Sequence, residues 1–307
     1  MTWIFAVAVA IISDAIRIFI DNYASDVYFK EKGAVSQKII SGLVLPIVGI
    51  ITLVANGFDF TQIAPLALVL LLLSGVLGSI SGIPYFKALE IDDSTNIGIF
   101  FQFAPILYLI LGWILGSETF AINQLIASFI ILAAPMLIVV TARKRSRKVR
   151  FKAAILAFLS IIFYVASGEL FVLANTENLN LFSEIGIILI AKGLSDLVII
   201  GGRRSWRHRL VKVIKSSKSR VMIPISAGVV MRLLQEFSYR IALALAPTVA
   251  IASAASDSIE PIFIFFLGVV LTLIWPKFGR EKLQHKTVLV HLVATVLVAV
   301  GIIIMQL

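Results

Sequence analysis

Charged side chains recur every fourth residue in one strongly apolar stretch of the chain. Residues 229–243 read VVMRLLQEFSYRIAL and place Arg232, Glu236 and Arg240 at this spacing. Because an α-helix repeats every 3.6 residues, the three side chains are expected to lie along one face. A carboxylate between two cations can form ion pairs along the helix, and it can also hold a polar ligand or take up a proton. The stretch therefore predicts either salt bridges or a binding site in apolar surroundings.

Other apolar segments contain charged residues as well. These residues are Asp14 and Arg17, Glu169, Lys192 and Asp196, and Asp257 and Glu260, with a spacing of three or four residues inside each pair. An ionised Arg or Asp at the centre of a membrane-spanning helix costs about 2.5–3.5 kcal/mol, whereas each Leu, Ile, Phe or Val contributes only about 0.3–0.6 kcal/mol. Lipid is therefore an unfavourable neighbour, and we expect these side chains to point into a helix bundle.

Each charged set has a structural and a functional interpretation. A fixed ion pair and a role in binding a solute are equally compatible with Lys192 and Asp196, and the same holds for Asp14 and Arg17. For Arg232 and Glu236 we favour solute binding, because both signs of charge lie in the middle of the apolar stretch. Arg240 lies nearer the end of the stretch, where a long basic side chain usually extends towards the headgroups.

Uncharged polar residues give weaker signals. Gln102 precedes Pro105 in FFQFAP and either lines a cavity or is satisfied by a neighbouring backbone group. Tyr85 and Tyr239 fit packing or interface positions as well as contact with a solute. We include all three in the predicted path of a solute.

The elements that must position these residues are membrane-spanning helices. The chain is 60% hydrophobic and 14% charged, with a mean hydropathy of +1.03, which is far outside the range of soluble domains. Ten apolar runs are long enough to cross a hydrocarbon core of about 30 Å. They cover residues 3–20, 38–56, 64–86, 96–116, 121–141, 151–174, 182–201, 221–245, 247–274 and 287–306. The sequence predicts an all-α integral membrane protein, with its least marked boundary at Pro247.

Several functional classes are disfavoured by composition. The chain has no Cys and only three His, which argues against disulfides, thiolate metal sites and other metal centres. No cofactor is indicated. The segment GLS at 193–195 is not a nucleophile elbow and no P-loop occurs, so the sequence predicts neither an enzyme nor an ATP-driven pump. The net charge of +10 resides in short basic runs that suit anionic lipid, and we expect no nucleic-acid partner.

The basic residues also predict an orientation. Of the 27 Lys and Arg residues, 23 lie in alternate connections, with the two largest groups in 142–152 and 202–220. By the positive-inside rule these two loops are predicted to be cytoplasmic, with both termini on the outer side of the membrane. The membrane is expected to be the plasma membrane. The oligomeric state is left open by the sequence.

The two halves of the chain show similar short motifs. Tyr85–Leu89 (YFKAL) matches Tyr239–Leu243 (YRIAL), and PILYLILG at 105–112 matches PIFIFFLG at 261–268. Each half contains five predicted helices, and an odd number reverses the direction in which the second copy enters the membrane. The sequence thus predicts two inverted five-helix repeats, 1–141 and 153–307, joined by the basic connection 142–152.

At these motifs the chain resembles the EamA family of the drug/metabolite transporter superfamily. The residues that carry the resemblance are Tyr85, Ala88, Leu89, Pro105, Gly116 and Glu118 in the first half, and Tyr239, Ala242, Leu243, Ser258, Glu260, Pro261, Gly268 and Glu281 in the second. Ser117 interrupts one motif, and the connection after Pro276 is longer than the family pattern. Family members are drawn with cytoplasmic termini, which is opposite to the orientation that the basic residues predict. We base the predicted orientation on the basic residues of this chain.

The resemblance and the buried charges together imply alternating access. We expect a secondary transporter of a small polar or zwitterionic metabolite such as an amino acid, with export as the direction that the resemblance favours. The bilayer, with anionic lipid at the basic loops, is the other expected partner. A flippase for lipid-linked carriers is the main alternative, and a membrane enzyme or a scaffold is a weaker one. The identity of the solute and any coupling ion stay open.

Overall fold

The computed structural model describes most of the chain as helix. The described residues are 2–24, 34–57, 63–91, 100–101, 103–116, 122–142, 151–175, 180–202, 219–274 and 285–305. The helices within these ranges are α1 (Thr2–Ala24), α2 (Ala34–Ala55), α3 (Pro65–Ile91), α4 (Ala104–Leu115), α5 (Ile122–Ala142), α6 (Phe151–Ala174), α7 (Leu181–Gly201), α8 (Ser219–Leu245), α9 (Val249–Ile274) and α10 (His285–Met305). The prediction of ten helices is confirmed for this part of the chain.

Local chemistry explains several helix ends. Asn180 caps α7, because its side chain accepts a hydrogen bond from the backbone N–H of Phe182 at 2.9 Å. Gly116 ends α4 in the left-handed region, with a φ of 73° that a glycine adopts without steric cost. The boundary at Pro247 is present as predicted, since α8 ends at Leu245 and α9 begins at Val249. The predicted start of the fourth helix at residue 96 lies outside the described residues.

The outer surface of the bundle is apolar. Within the described residues, four helical segments are long and apolar enough to cross a membrane, namely Thr2–Ile20, Pro65–Tyr85, Phe151–Ala174 and Val249–Ile274. Large side chains on several helices face outwards, as with Val54, Val198 and Ile274, each of which is at least 75% exposed. Such exposed apolar side chains are unfavourable in water and match a hydrocarbon environment. The chain is therefore a helical membrane protein.

The main packing partners come from opposite halves of the chain. The most extensive contacts pair α3 with α6, α1 with α8, α2 with α7 and α5 with α10. Further contacts join α4 to α9, α1 to α9 and α4 to α6. Helices that are five positions apart in the chain have equivalent partners. If every helix is exchanged for the one five positions away, each of these pairs becomes another pair of the set or stays the same pair. One extensive contact departs from this rule: α3 packs along α7, whereas its counterpart, α2 against α8, is limited to a few residues.

Small residues bring α3 close to two neighbours. Ser74 on α3 donates to the carbonyl of Ser167 on α6 at 2.6 Å, and Ser167 donates back to the carbonyl of Ser74 at 2.8 Å. On the side towards α7, a Cβ at Gly75 would lie 2.6 Å from both the Ala191 Cβ and the Ile188 carbonyl. Such close approach of small residues is the usual way in which membrane helices pack. It fixes α3 between α6 and α7, next to the charged residues described below.

Candidate functional site

A buried group of charged and hydroxyl side chains lies where α3, α6, α7 and α8 meet. We call Lys192, Glu236, Arg240, Ser74 and Ser167 the ion-pair cluster. Lys192 on α7 donates to Glu236 Oε2 on α8. The other carboxylate oxygen of Glu236 accepts from Arg240 at longer distances, 3.4 Å from Nε and 3.5 Å from Nη2. Lys192 and Glu236 are only 11% and 12% exposed in their side chains, so little water competes for this ion pair.

Arg240 is held mainly by uncharged groups. Its Nη2 donates to Ser167 Oγ at 3.0 Å, and its Nη1 lies 3.3 Å from both the Ser167 carbonyl and Ser74 Oγ. The guanidinium also lies over the ring of Phe171, 5.2 Å from its centroid. The expectation that Arg240 extends towards the headgroups is wrong in the structure, because these partners on α3 and α6 keep it buried at 5% exposure.

The structure distributes the charged residues of α7 and α8 differently from the simplest interpretation of their spacing. The sequence allowed Lys192 to pair with Asp196 and Glu236 to pair with Arg232 or with Arg240, and the pair of Glu236 with Arg240 is present in the structure. Lys192 instead bonds across the helix interface to Glu236, and Asp196 accepts from Ser79 of α3 at 2.6 Å. Lys192 and Asp196 thus connect α7 to α8 and to α3. The spacing of the two residues along α7 does not specify these partners.

A second charged group lies between α1 and α9. We call Asp14, Arg17, Asp257 and Glu260 the carboxyl cluster. The predicted pair on α1 is present, with Arg17 Nε and Nη2 both 2.7 Å from Asp14 Oδ1. Asp14 of α1 also lies within electrostatic range of Glu260 of α9. Asp257 accepts from Ser253 at 2.6 Å.

Four tyrosines lie within electrostatic range of the carboxyl cluster. We call Tyr85, Tyr108, Tyr164 and Tyr239 the tyrosine group. The Tyr164 and Tyr239 rings stack at 5.8 Å, and the hydroxyls of Tyr108 and Tyr239 are 3.4 Å apart. The charge of Asp257 acts on Tyr108, Tyr164 and Tyr239, while Asp14 and Glu260 act on Tyr85. The group therefore borders the carboxyl cluster with rings that offer both apolar faces and hydroxyls.

Arg232 lies within electrostatic range of both clusters. Its charge acts on Asp14 of α1 and also on Glu236 and Lys192. Most of the residues predicted to line a solute path thus belong to the two charged clusters and the tyrosine group, and Arg232 lies within electrostatic range of both clusters. An arrangement with both signs of charge and aromatic faces can hold polar, charged or zwitterionic molecules.

Two predicted residues, Glu169 and Gln102, belong to neither cluster. Glu169 is fully buried on α6, and its charge acts on Tyr108. Gln102 lies outside the described residues. Five residues of the site were not predicted from the sequence, namely Ser74, Ser167, Phe171, Tyr108 and Tyr164. The only signal for Ser74 was the small-residue segment SGVLGSISG at 74–82, which fits packing equally well, and Ser167 had no such signal.

Comparison with known proteins identifies a fold and no family. No family model matches the chain, and no curated protein matches it. Among solved structures 26 chains match, and one, described as "Crystal structure of protein", is similar with a TM-score of 0.68. That similarity covers 98% of this chain and 95% of that chain at 13% sequence identity. At this identity the similarity shows the fold alone.

Proposed function

We propose that this chain is a secondary transporter that moves a small polar or zwitterionic metabolite by alternating access. The observation that carries the proposal is the ion-pair cluster: charged side chains from α7 and α8, held by serines of α3 and α6, inside a helical membrane protein. Charges are expensive in hydrocarbon and usually mark the path of a solute or ion. The cluster joins helices from both halves of the chain, which is where transporters with two repeats place their sites.

The helix packing supports an inverted two-repeat architecture. Pairing that is preserved when every helix is exchanged for the one five positions away is expected of two five-helix repeats related by a two-fold axis. The odd number of helices in each repeat makes the repeats inverted. This interpretation agrees with the short sequence motifs shared by the two halves, and with the resemblance to the EamA family that those motifs carry.

The one unequal pair of contacts supports alternation between two states. If the halves are equivalent, α3 against α7 and α8 against α2 are corresponding contacts, yet only the first is extensive. In an alternating-access cycle the first contact closes one end of the passage and the second closes the other. The unequal packing fits a state closed at the α3–α7 end, with exchange of the two contacts giving the opposite state.

The sparse contact between α2 and α8 also favours a second candidate function. A flippase for a lipid-linked carrier needs a lateral opening through which the lipid tail stays in the bilayer. The limited packing of α8 against α2 is where such an opening would lie. A membrane enzyme or a scaffold has no comparable observation in its favour among the described residues.

Flux measurements on purified protein test the proposed function. Proteoliposomes are loaded with a defined mixture of amino acids, organic acids, nucleosides and sugars, and the retained contents are followed by mass spectrometry. We expect loss of at least one solute through the native protein. Because Glu236 neutralises Lys192, we expect Glu236→Gln to reduce this flux at least tenfold.

The control is Lys87→Gln, which removes one charge from an exposed position on α3 and should transport normally. Both variants must elute as single monodisperse peaks. Native flux equal to that of empty liposomes, or full flux through a well-folded Glu236→Gln variant, would contradict the proposal.

A further inference from the structure

Arg232 faces the interior of the bundle and is nevertheless accessible. On α8 the exposed line runs through Val230 and Leu234, which are 50% and 44% exposed. Arg232 is two residues from each, about 160–200° around the helix at roughly 100° per residue, and so on the opposite side. Glu236 and Tyr239 share its inward side. Arg232 is partly exposed, which on this inward side indicates a space that solvent can enter.

Among the described residues, Arg232 differs from the other inward-facing cations, each of which is bound to a polar side chain. Arg17 is bound to Asp14, Lys192 to Glu236, and Arg240 to Ser167. Arg232 senses Asp14 and Glu236 electrostatically, but within the described part of the chain it forms no ion pair and no side-chain hydrogen bond. A guanidinium presents five N–H donors, so these donors are available to a ligand.

The carboxylates that sense the charge of Arg232 are bound to other cations. Arg232 acts on Glu236 and on Asp14. Glu236 is bound to Lys192, and Asp14 is bound to Arg17 through two nitrogens. Because both carboxylates already have a cation bound to them, the guanidinium of Arg232 can bind an anion that enters the bundle.

We propose that Arg232 binds an anionic group of the cargo, a carboxylate or a phosphate, on the inward side of α8 next to Glu236. The planar guanidinium matches both groups through two parallel hydrogen bonds, which an ammonium group does not provide. The inference rests on the proposed transport function and adds to it the sign of the charge that the cargo must carry. A phosphate can belong to a soluble metabolite or to a lipid headgroup, and the test separates these sources.

Binding to matched pairs of compounds tests the charge requirement. The native protein in phosphatidylcholine nanodiscs is titrated with succinate and succinamide, glutamate and glutamine, and glycerol 3-phosphate and glycerol, with thermal stability and calorimetry as readouts. We expect at least one anion to bind while its uncharged partner does not. Arg232→Gln should weaken that binding about tenfold or more, equivalent to about 1.4 kcal/mol. Arg232→Lys should retain part of it.

A second arm identifies the source of the anion. The native protein and Arg232→Gln are compared in nanodiscs with and without phosphatidylglycerol. Stabilisation of the native protein alone by the anionic lipid assigns the anion to a headgroup, whereas stabilisation by soluble anions in uncharged lipid assigns it to a metabolite. Either result supports the inference. Lys152→Gln, at an exposed position near the start of α6, is the matched control and should bind as the native protein does.

Three results overturn the inference. They are binding restricted to uncharged or cationic compounds, equal anion affinity in the native protein and a folded Arg232→Gln variant, and no binding of any anion or anionic lipid. Solute flux in liposomes combined with any of these results would contradict the role of Arg232 and leave the transport function standing. The absence of all solute flux would contradict the transport function itself.

Discussion

At the scale of single residues, the structure adds bonds between helices to the pairs that lie along one helix. Glu236 accepts from Lys192 of α7 and, more loosely, from Arg240 of its own helix. Removal of one partner from a buried ion pair leaves a charge without its counterion, which costs about 3–5 kcal/mol in general. The second cation near Glu236 reduces this cost, because Arg240 still neutralises the carboxylate when Lys192 is absent.

A double-mutant cycle measures this coupling. Lys192→Met and Glu236→Gln are each expected to lower the thermal stability of the purified protein, and the double variant should lose less than the sum of the two losses. The physical reason is that neither member of the pair is left charged in the double variant. Effects that add to within about 0.5 kcal/mol would show that the two side chains do not interact. Lys152→Met, at an exposed position, serves as the neutral control.

At the scale of helices, the bundle depends on small residues at crossing points between the halves. At the contact of α2 with α7, a Cβ at Gly193 would lie 2.3 Å from Cδ and 2.5 Å from Cγ of Pro46. A proline ring cannot move aside as a flexible side chain does, so any larger residue here must push the two helices apart. The same contact positions the face of α7 that bears Lys192 and Asp196.

Substitutions at two glycines of α7 test this packing. Gly193→Ala is expected to destabilise the protein by about 1–3 kcal/mol through overpacking against Pro46. Gly201→Ala, on the same helix, is the matched control, because no atom of the described residues lies within 4 Å of a Cβ at that position. Thermal unfolding of both variants in one detergent provides the measurement. A stable Gly193→Ala protein with native flux would mean that α2 and α7 are not held at this distance.

At the scale of the whole molecule, the arrangement of basic residues predicts orientation in the membrane. The loops 142–152 and 202–220 hold seven and eight Lys or Arg residues, and the positive-inside rule places both in the cytoplasm. An inverted repeat can be inserted either way round because its two halves have opposite directions, so these loops are what select one orientation.

Cysteine labelling tests the orientation directly. The chain has no native Cys, so a single Arg147→Cys variant carries the only thiol. We expect an impermeant maleimide to label it in inside-out vesicles and not in intact cells, since the loop is predicted to be cytoplasmic. A cysteine added after Leu307 should show the opposite pattern. Labelling of residue 147 in intact cells would reverse the predicted orientation.

Much of the architecture follows from the sequence because the bilayer imposes simple rules. An apolar run of about 20 residues has to be helical in lipid, as backbone groups there find no water. That constraint predicted ten helices and the boundary at Pro247, and it indicated that residues such as Asp14 and Glu236 point away from lipid. The spacing of Asp14 and Arg17 also sufficed for their ion pair, because both partners are on the same helix.

Only the tertiary structure decided which buried groups meet. The bond of Lys192 to Glu236, the serine cradle of Arg240 and the approach of Asp14 to Glu260 join helices that are distant in the chain. Helical periodicity fixes the face on which a side chain lies, whereas its partners depend on which helices pack and at what height. That packing is set by small residues such as Gly75 and Gly193, whose role is visible only when the neighbouring helix is present.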